Sequence, residues 1–181
     1  MAQERAIVLV DGSNFYFKLR DLKLHKLLAF DFSSFASSLI ERNRLVSATY
    51  YVGKVRTDGT EKTKILLANQ QRLFAHLRKH AFTYSLGYLL KSDGKLHEKG
   101  VDVQIAVDML VAAYENLCDR LYLVSSDTDL IPAIQKAQEK GKAVIYVAFS
   151  HQVSKALVAS CRETQTLTKN TLLPFTEQKA A

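Results

Sequence analysis

A chain of 181 residues with 48% hydrophobic content can bury one sizeable core, and no Pro/Gly/Ser-rich or low-complexity stretch divides it. The net charge of +7 is carried by clusters at Lys18-Leu19-Arg20, 23–26, 54–56, 62–64 and 91–99, which favours nucleic acid as the partner over a merely solvated face. Two isolated cysteines, Cys118 and Cys161, exclude a disulfide framework and a zinc ribbon, and the short apolar run ahead of Asp11 excludes a signal peptide or membrane span. A cytoplasmic protein without a membrane partner is expected.

Residues 6–10 form a continuous β-rich apolar run, as in a central strand covered on both faces. Gly12 and Ser13 permit a tight turn into a short helix whose apolar residues are Phe15, Phe17, Leu19 and Leu22. Asp31 or Ser33 caps a predicted helix that runs to about Asn43, with Phe32, Phe35, Ala36, Leu39 and Ile40 on one face; a strand over 45–55 follows. Residues 60–80 lack Gly and Pro and place Ile65, Leu66, Ala68, Leu73 and Leu77 at helical intervals. A strand over 82–90, a hairpin-like turn around Asp93-Gly94 and an exposed return over 96–100 come next. Residues 101–117 are apolar on most sides, which predicts a deeply packed helix and not a surface one. A short buried strand over 121–124, a helix over 131–140 capped by Asp127 or Asp129, a stop at Gly141 and a strand over 143–149 complete the alternation. After Glu163 a less regular basic segment adds a last strand or helix. Strand–helix alternation of this kind predicts an α/β fold with a mostly parallel sheet covered on both faces, and the chain shows no internal repeat.

Three aspartate motifs stand at strand ends or helix starts: Val10-Asp11-Gly12-Ser13-Asn14, Lys99-Gly100-Val101-Asp102 and Ser125-Ser126-Asp127-Thr128-Asp129. In an open α/β sheet the carboxyl ends of the strands share one crevice, so distant carboxylates can gather there. Gathered carboxylates repel one another unless protons or a cation compensate them. Asp, Ser and Thr oxygens suit Mg²⁺ or Mn²⁺, not the His and Cys sets that zinc prefers. Each aspartate also has a plainer explanation: Asp11 and Asp127 as helix caps, and Asp102 as a first-turn acid favoured by the helix dipole. Asn14 and Ser125 are candidates for orienting water or a phosphate oxygen, and Lys99 for meeting a substrate phosphate. Asp108, roughly 120° around the helix from Asp102, stays a supporting or structural candidate.

At these motifs the sequence resembles the NYN domain family of PIN-like nucleases, most closely its bacterial LabA-like branch. The resemblance rests on Ile7-Val8-Leu9-Val10-Asp11-Gly12-Ser13-Asn14, on Glu98-Lys99-Gly100-Val101-Asp102 running into Ala106-Val107-Asp108-Met109-Leu110, and on Leu123-Val124-Ser125-Ser126-Asp127-Thr128-Asp129-Leu130. It implies a Rossmann-like three-layer α/β/α sandwich over residues 1–165, with a C-terminal extension or tail over 166–181. It also implies an acidic Mg²⁺ or Mn²⁺ site that cleaves RNA. Asp11, Asp102, Asp127 and Asp129 occupy the acidic positions of that pattern, Asn14 its polar position after the first strand, and Asp108 a recurrent acid of the central helix. The chain departs from the family where Ser126 replaces a common Gly and Leu130 a common Phe.

Two other functions compete with a ribonuclease. One is an RNA-binding or regulatory module that keeps the pocket without turnover. The other is a phosphotransferase with Asp11 as nucleophile, though Ser13 stands where a second carboxylate would serve as acid. The apolar helices leave room for a homodimer surface.

Overall fold

The computed structural model describes residues 3–92 and 95–176. Their strands form a seven-stranded sheet in the order β4-β3-β2-β1-β5-β6-β7. The strands are β1 (Arg5–Asp11), β2 (Arg44–Lys54), β3 (Thr83–Ser92), β4 (Lys95–Lys99), β5 (Arg120–Val124), β6 (Ala143–Phe149) and β7 (Glu163–Leu167). All neighbours pair in parallel except β3 and β4, whose antiparallel register runs from Tyr88↔Lys99 to Ser92↔Lys95. The predicted return is therefore a ladder strand, while its turn at Asp93-Gly94 lies outside the described residues.

Two apolar layers sandwich the sheet. Alternate residues of β1 go to opposite sides, with Ala6, Val8 and Val10 in one layer and Ile7 and Leu9 in the other, so a run apolar at every position is what a central strand requires. The first layer holds α1 (Gly12–Asp21), α2 (Phe32–Ile40), α3 (Glu61–Lys79) and α7 (Lys169–Leu172). Phe15, Phe30, Phe32 and Phe35 lie fully buried there, with ring centroids 5.0–6.3 Å apart. The second layer holds α4 (Val101–Tyr114), α5 (Ile131–Glu139) and α6 (Lys155–Ser160) around Ile105, Met109, Ile134 and Leu157.

The segment after Glu163 supplies both a strand and a helix: β7 pairs with β6, and Leu172 is fully buried. Phe175 then packs against Phe30 and Phe35, and its carbonyl accepts the Asp31 amide at 2.7 Å.

The expectation that α4 is a deeply packed helix and not a surface one is not met. Val101, Ile105, Met109, Ala112 and Ala113 face the sheet, but Val103, Val107, Val111 and Tyr114 are exposed at helical spacing. Hydrophobicity around a helix does not show whether each face has a partner. Phe17 likewise leaves the core that Phe15 and Leu19 enter; it is 48% exposed.

Two glycines allow the close contacts that place the sheet's carboxyl edge. A Cβ on Gly12 would lie 2.2 Å from the Tyr50 ring and 2.5 Å from the Tyr51 carbonyl, so α1 can start directly at the end of β1 only with no side chain there. On Gly87 it would lie 2.6 Å from the Lys99 carbonyl and 2.7 Å from Val101 Cγ2, so the start of α4 is seated against β3. No described helix is long and apolar enough to cross a membrane.

Candidate functional site

Strand order reverses between β1 and β5, so successive units wind away on both sides and a crevice opens above their carboxyl ends. Asp11 lies at that point. It is the last residue of β1, not one past it, because the parallel ladder to β2 continues through Asp11↔Tyr51. Only 5% of Asp11 is exposed. The Asn14 amide donates to its Oδ1 at 3.0 Å, so Asp11 does cap α1, and the Ser125 hydroxyl donates to its Oδ2 at 2.9 Å. The cap explanation and the site explanation thus hold for the same carboxylate.

Ser125 ties the two strands together. It is buried just past β5, and while its hydroxyl donates to Asp11 its oxygen accepts the Asp127 amide at 3.1 Å. Asp127 caps the 3-10 turn Thr128–Leu130 by accepting the Asp129 amide at 2.9 Å. That turn leads into α5, which has no side-chain cap of its own and carries a proline in its first turn. Asp127 is half-buried and Asp129 exposed. Asn14 uses its side-chain amide on Ser126, donating to the hydroxyl at 2.8 Å. Ser126, read from the sequence only as a departure from the family pattern, therefore anchors the β5 loop to α1.

Asp102 lies in the first turn of α4, behind Gly100, whose φ of 79° is the left-handed cap. Helix α4 packs on β1, β2, β3 and the 3-10 turn after Asp127, so Asp102 comes to the same edge of the sheet from the side of β3. Lys99 is exposed at the end of β4. Asp108 has a structural assignment: the Tyr51 hydroxyl and the Gln104 amide each donate to one of its oxygens at 2.8 Å. Burial and the neighbouring Asp108 carboxylate push the Tyr51 phenol well above its usual range, so it stays a neutral donor.

The donors around Asp11 are carboxylate, hydroxyl and amide oxygens, and this chemistry fits a hard divalent cation. The carboxylates stand apart, however: among the described residues no three His, Cys, Asp or Glu side chains are near enough to hold an ion together. Asp11 and Asp127 are linked through Ser125, while Asp102 lies in the first turn of α4 and Asp129 in the 3-10 turn.

Other expectations shift. Lys18, counted among the surface cations, is buried and donates to Gln152, and burial lowers its amine from the usual range. Of the basic stretch 91–99, only Lys99 has a described side chain. Burial raises both cysteine thiols to about 11, which leaves them unreactive. Sequence reasoning missed a cavity of about 740 Å³ beside the start of α1, lined by Gly12, Ser13, Tyr16, Phe17, Leu28 and Asn69 among others. Its only sequence signal is Phe17, an aromatic off the core face of α1.

The architecture is shared with a crystal structure of a protein of unknown function from Vibrio parahaemolyticus, 24% identical with a TM-score of 0.68, the match covering 91% of this chain and 93% of that one. Fainter likenesses are to the bacteriophage T5 5′-exonuclease with bound zinc (18% identical, TM-score 0.44) and the T5 flap endonuclease with DNA and metal ions (17%, 0.41). Each covers 78% of this chain and 55% of the phage protein, and neither is close enough to carry an argument about the site. A stretch of 63 residues is 38% identical to an uncharacterized protein of Methanocaldococcus jannaschii, covering 35% of this chain and 26% of that protein. The chain thus matches about a quarter of the archaeal protein's length. The NYN domain profile matches residues 5–168, taking in β1 with Asp11, the start of α4 and the β5 loop. This chain belongs to the NYN domain family.

Proposed function

We propose that this chain is a cytoplasmic, metal-dependent ribonuclease that hydrolyses RNA phosphodiester bonds at the β1–β5 crevice. The observation that carries this reading is the buried Asp11 carboxylate, fixed by Ser125 and Asn14 at the topological switch point of an NYN domain. Asp11, Asp102, Asp127 and Asp129 would hold Mg²⁺ or Mn²⁺. When bound, such an ion lowers the pKa of its water and stabilises charge on the phosphoryl oxygens.

The chain's own residues orient and retain. The Ser125 hydroxyl and the Asn14 backbone amide each engage one Asp11 oxygen, which sets the plane of the carboxylate. Asn14 and Ser126 hold the β5 loop against α1, and in this reading Asp127 serves the same crevice. Lys99 is the candidate for a substrate phosphate, and the net charge of +7 draws a polyanion to the surface. Purified protein should cut RNA with Mn²⁺ or Mg²⁺ and lose that activity in EDTA and in Asp11→Asn. Cleavage that survives both changes would remove the metal mechanism.

A second reading, an RNA-binding module without turnover, draws on the separation of the described carboxylates. Salt-sensitive binding with no cleavage under any divalent metal selects it.

The proposed assembly is a homodimer through the outer face of α4. Val103, Val107, Val111 and Tyr114 form an exposed apolar stripe along that helix, with no charged residue among the exposed positions of 101–114. Val107→Asp should convert a dimer to a monomer in sedimentation equilibrium; a monomeric wild type at high concentration refutes the dimer.

A further inference from the structure

The cavity beside α1 begins close in the chain to the acidic site, because its wall includes Gly12 and Ser13, the two residues that follow Asp11. Two residues of chain place Ser13 Cα within about 7.6 Å of Asp11 Cα. At about 740 Å³ the space falls in the range of pockets that enclose whole small molecules.

Its lining is specific in kind. Tyr16 stands edge-on to Phe17, with centroids 5.6 Å apart, and to His25 at 5.9 Å. Phe17 is 48% and Leu28 46% exposed, so the mouth presents apolar surface to water. The Arg20 guanidinium lies 4.7 Å from the Phe17 ring centroid, and Lys26 lines the cavity. Two amides also line it. Gln70 is fully committed, donating to the Gly53 carbonyl at 2.8 Å and accepting the Val55 amide at 2.9 Å. Asn69 is exposed on α3 and makes no side-chain hydrogen bond among the described residues. Flat rings for stacking, one uncommitted amide that can both donate and accept, and cations at the mouth make up a nucleobase-binding chemistry.

We propose that this cavity receives a base of the single-stranded substrate next to the phosphate held at the Asp11 crevice, with the Tyr16 and Phe17 rings as the stacking surface and Asn69 reading the base edge. This rests on the nuclease reading for the identity of the strand. Acidic crevice and aromatic cavity would then divide the labour, the crevice engaging any backbone and the cavity setting base preference. The cavity does not need the metal to bind, so it can be tested without turnover.

The test measures binding of the full chain, in EDTA and at low salt, to a short fluorescent oligoadenylate and to an abasic strand of equal length. Tyr16→Leu, which keeps apolar volume but removes the ring, should weaken the intact strand about tenfold and leave the abasic strand unchanged. Tyr16→Phe should restore the affinity. Asn69→Ala, at an exposed helical position, should alter the preference among homopolymers more than the mean affinity. Equal binding of intact and abasic strands by the wild type overturns the assignment even if the protein cleaves RNA with Mn²⁺. If the wild type binds neither strand in EDTA, the base assignment falls, while cleavage of RNA with Mn²⁺ decides the nuclease reading separately. Adenosine monophosphate that displaces the probe as readily as the oligonucleotide reassigns the cavity to a free nucleotide and overturns the strand-bound base.

Discussion

At the amino end of the β1–β5 pair, Arg5 meets both oxygens of Asp119, at 3.2 Å from Nε and 2.8 Å from the terminal nitrogen, and adds its own backbone amide at 2.8 Å. Beside it Arg120 bridges Glu4 and Glu163, and Lys142 donates to Asn116. At the carboxyl end of the same two strands, the donors seen on Asp11 and Asp127 are a hydroxyl and backbone amides. A guanidinium neutralises a carboxylate as it orients it, whereas a neutral donor orients it and leaves the charge in place. The first arrangement serves the fold. The second orients Asp11 and Asp127 through neutral groups at the opposite end of the same two strands.

The largest effect should separate the two ends. Asp11→Asn should lower metal-dependent cleavage by more than about a hundredfold while the melting temperature changes only slightly, since the asparagine oxygen can still accept the Asn14 amide and cap α1. Ser125→Ala deletes the donor to Asp11 and the acceptor for the Asp127 amide, so it should cost about 1–2 kcal/mol of stability and lower cleavage about tenfold. Mn²⁺ at tenfold over its dissociation constant should stabilise the wild type by about 1.4 kcal/mol; calorimetry should show that gain retained in Arg5→Ala and lost in Asp11→Asn. Metal stabilisation that survives in Asp11→Asn would erase the contrast between the ends. Arg5→Ala itself should lower the melting temperature only slightly, because both partners are about a third exposed, and should leave cleavage per folded molecule unchanged.

What the sequence revealed depended on range. Strands β1, β5 and β6 were legible because a strand buried on both faces must be apolar at successive positions. Asp11 was placed one residue outside its strand because only pairing with Tyr51 on β2 extends the ladder that far. The burial of Lys18 was hidden for a related reason: its partner Gln152 is 134 residues away, and composition assigns lysine to the surface. The Asn14–Ser126 bond spans 112 residues and joins two side chains that are each ordinary turn residues in their own segments. The cavity arises where α1, α3, β2 and the 3-10 turn Leu27–Ala29 meet, so no single segment carries its pattern. The outer stripe of α4 was visible as apolar residues but not as an exposed face, since periodicity gives a helix its faces without saying what covers them.

The smallest effect tests the neutralised end alone. The hydrogen bonds that Arg5 donates, from side chain and backbone, hold the Asp119 carboxyl at about 2, below its ordinary value near 3.9. In Asp31 burial acts the other way, but the Ser34 amide and the Ser33 and Ser34 hydroxyls outweigh it and also bring that carboxyl to about 2. Because these folded values lie below the unfolded ones, the unfolded chain binds more protons in between, and stability rises with pH there. The contribution is complete above about pH 5 and is lost as pH falls through about 4 towards 2. Arg5→Ala removes the guanidinium but keeps the backbone amide on Asp119, and Asp31 keeps its donors, so denaturant titrations across that window should show a pH slope shallower by a fraction of one proton. An unchanged slope would mean that Arg5 does not set the ionisation of Asp119, and the amino end would then differ from the carboxyl end in geometry but not in charge.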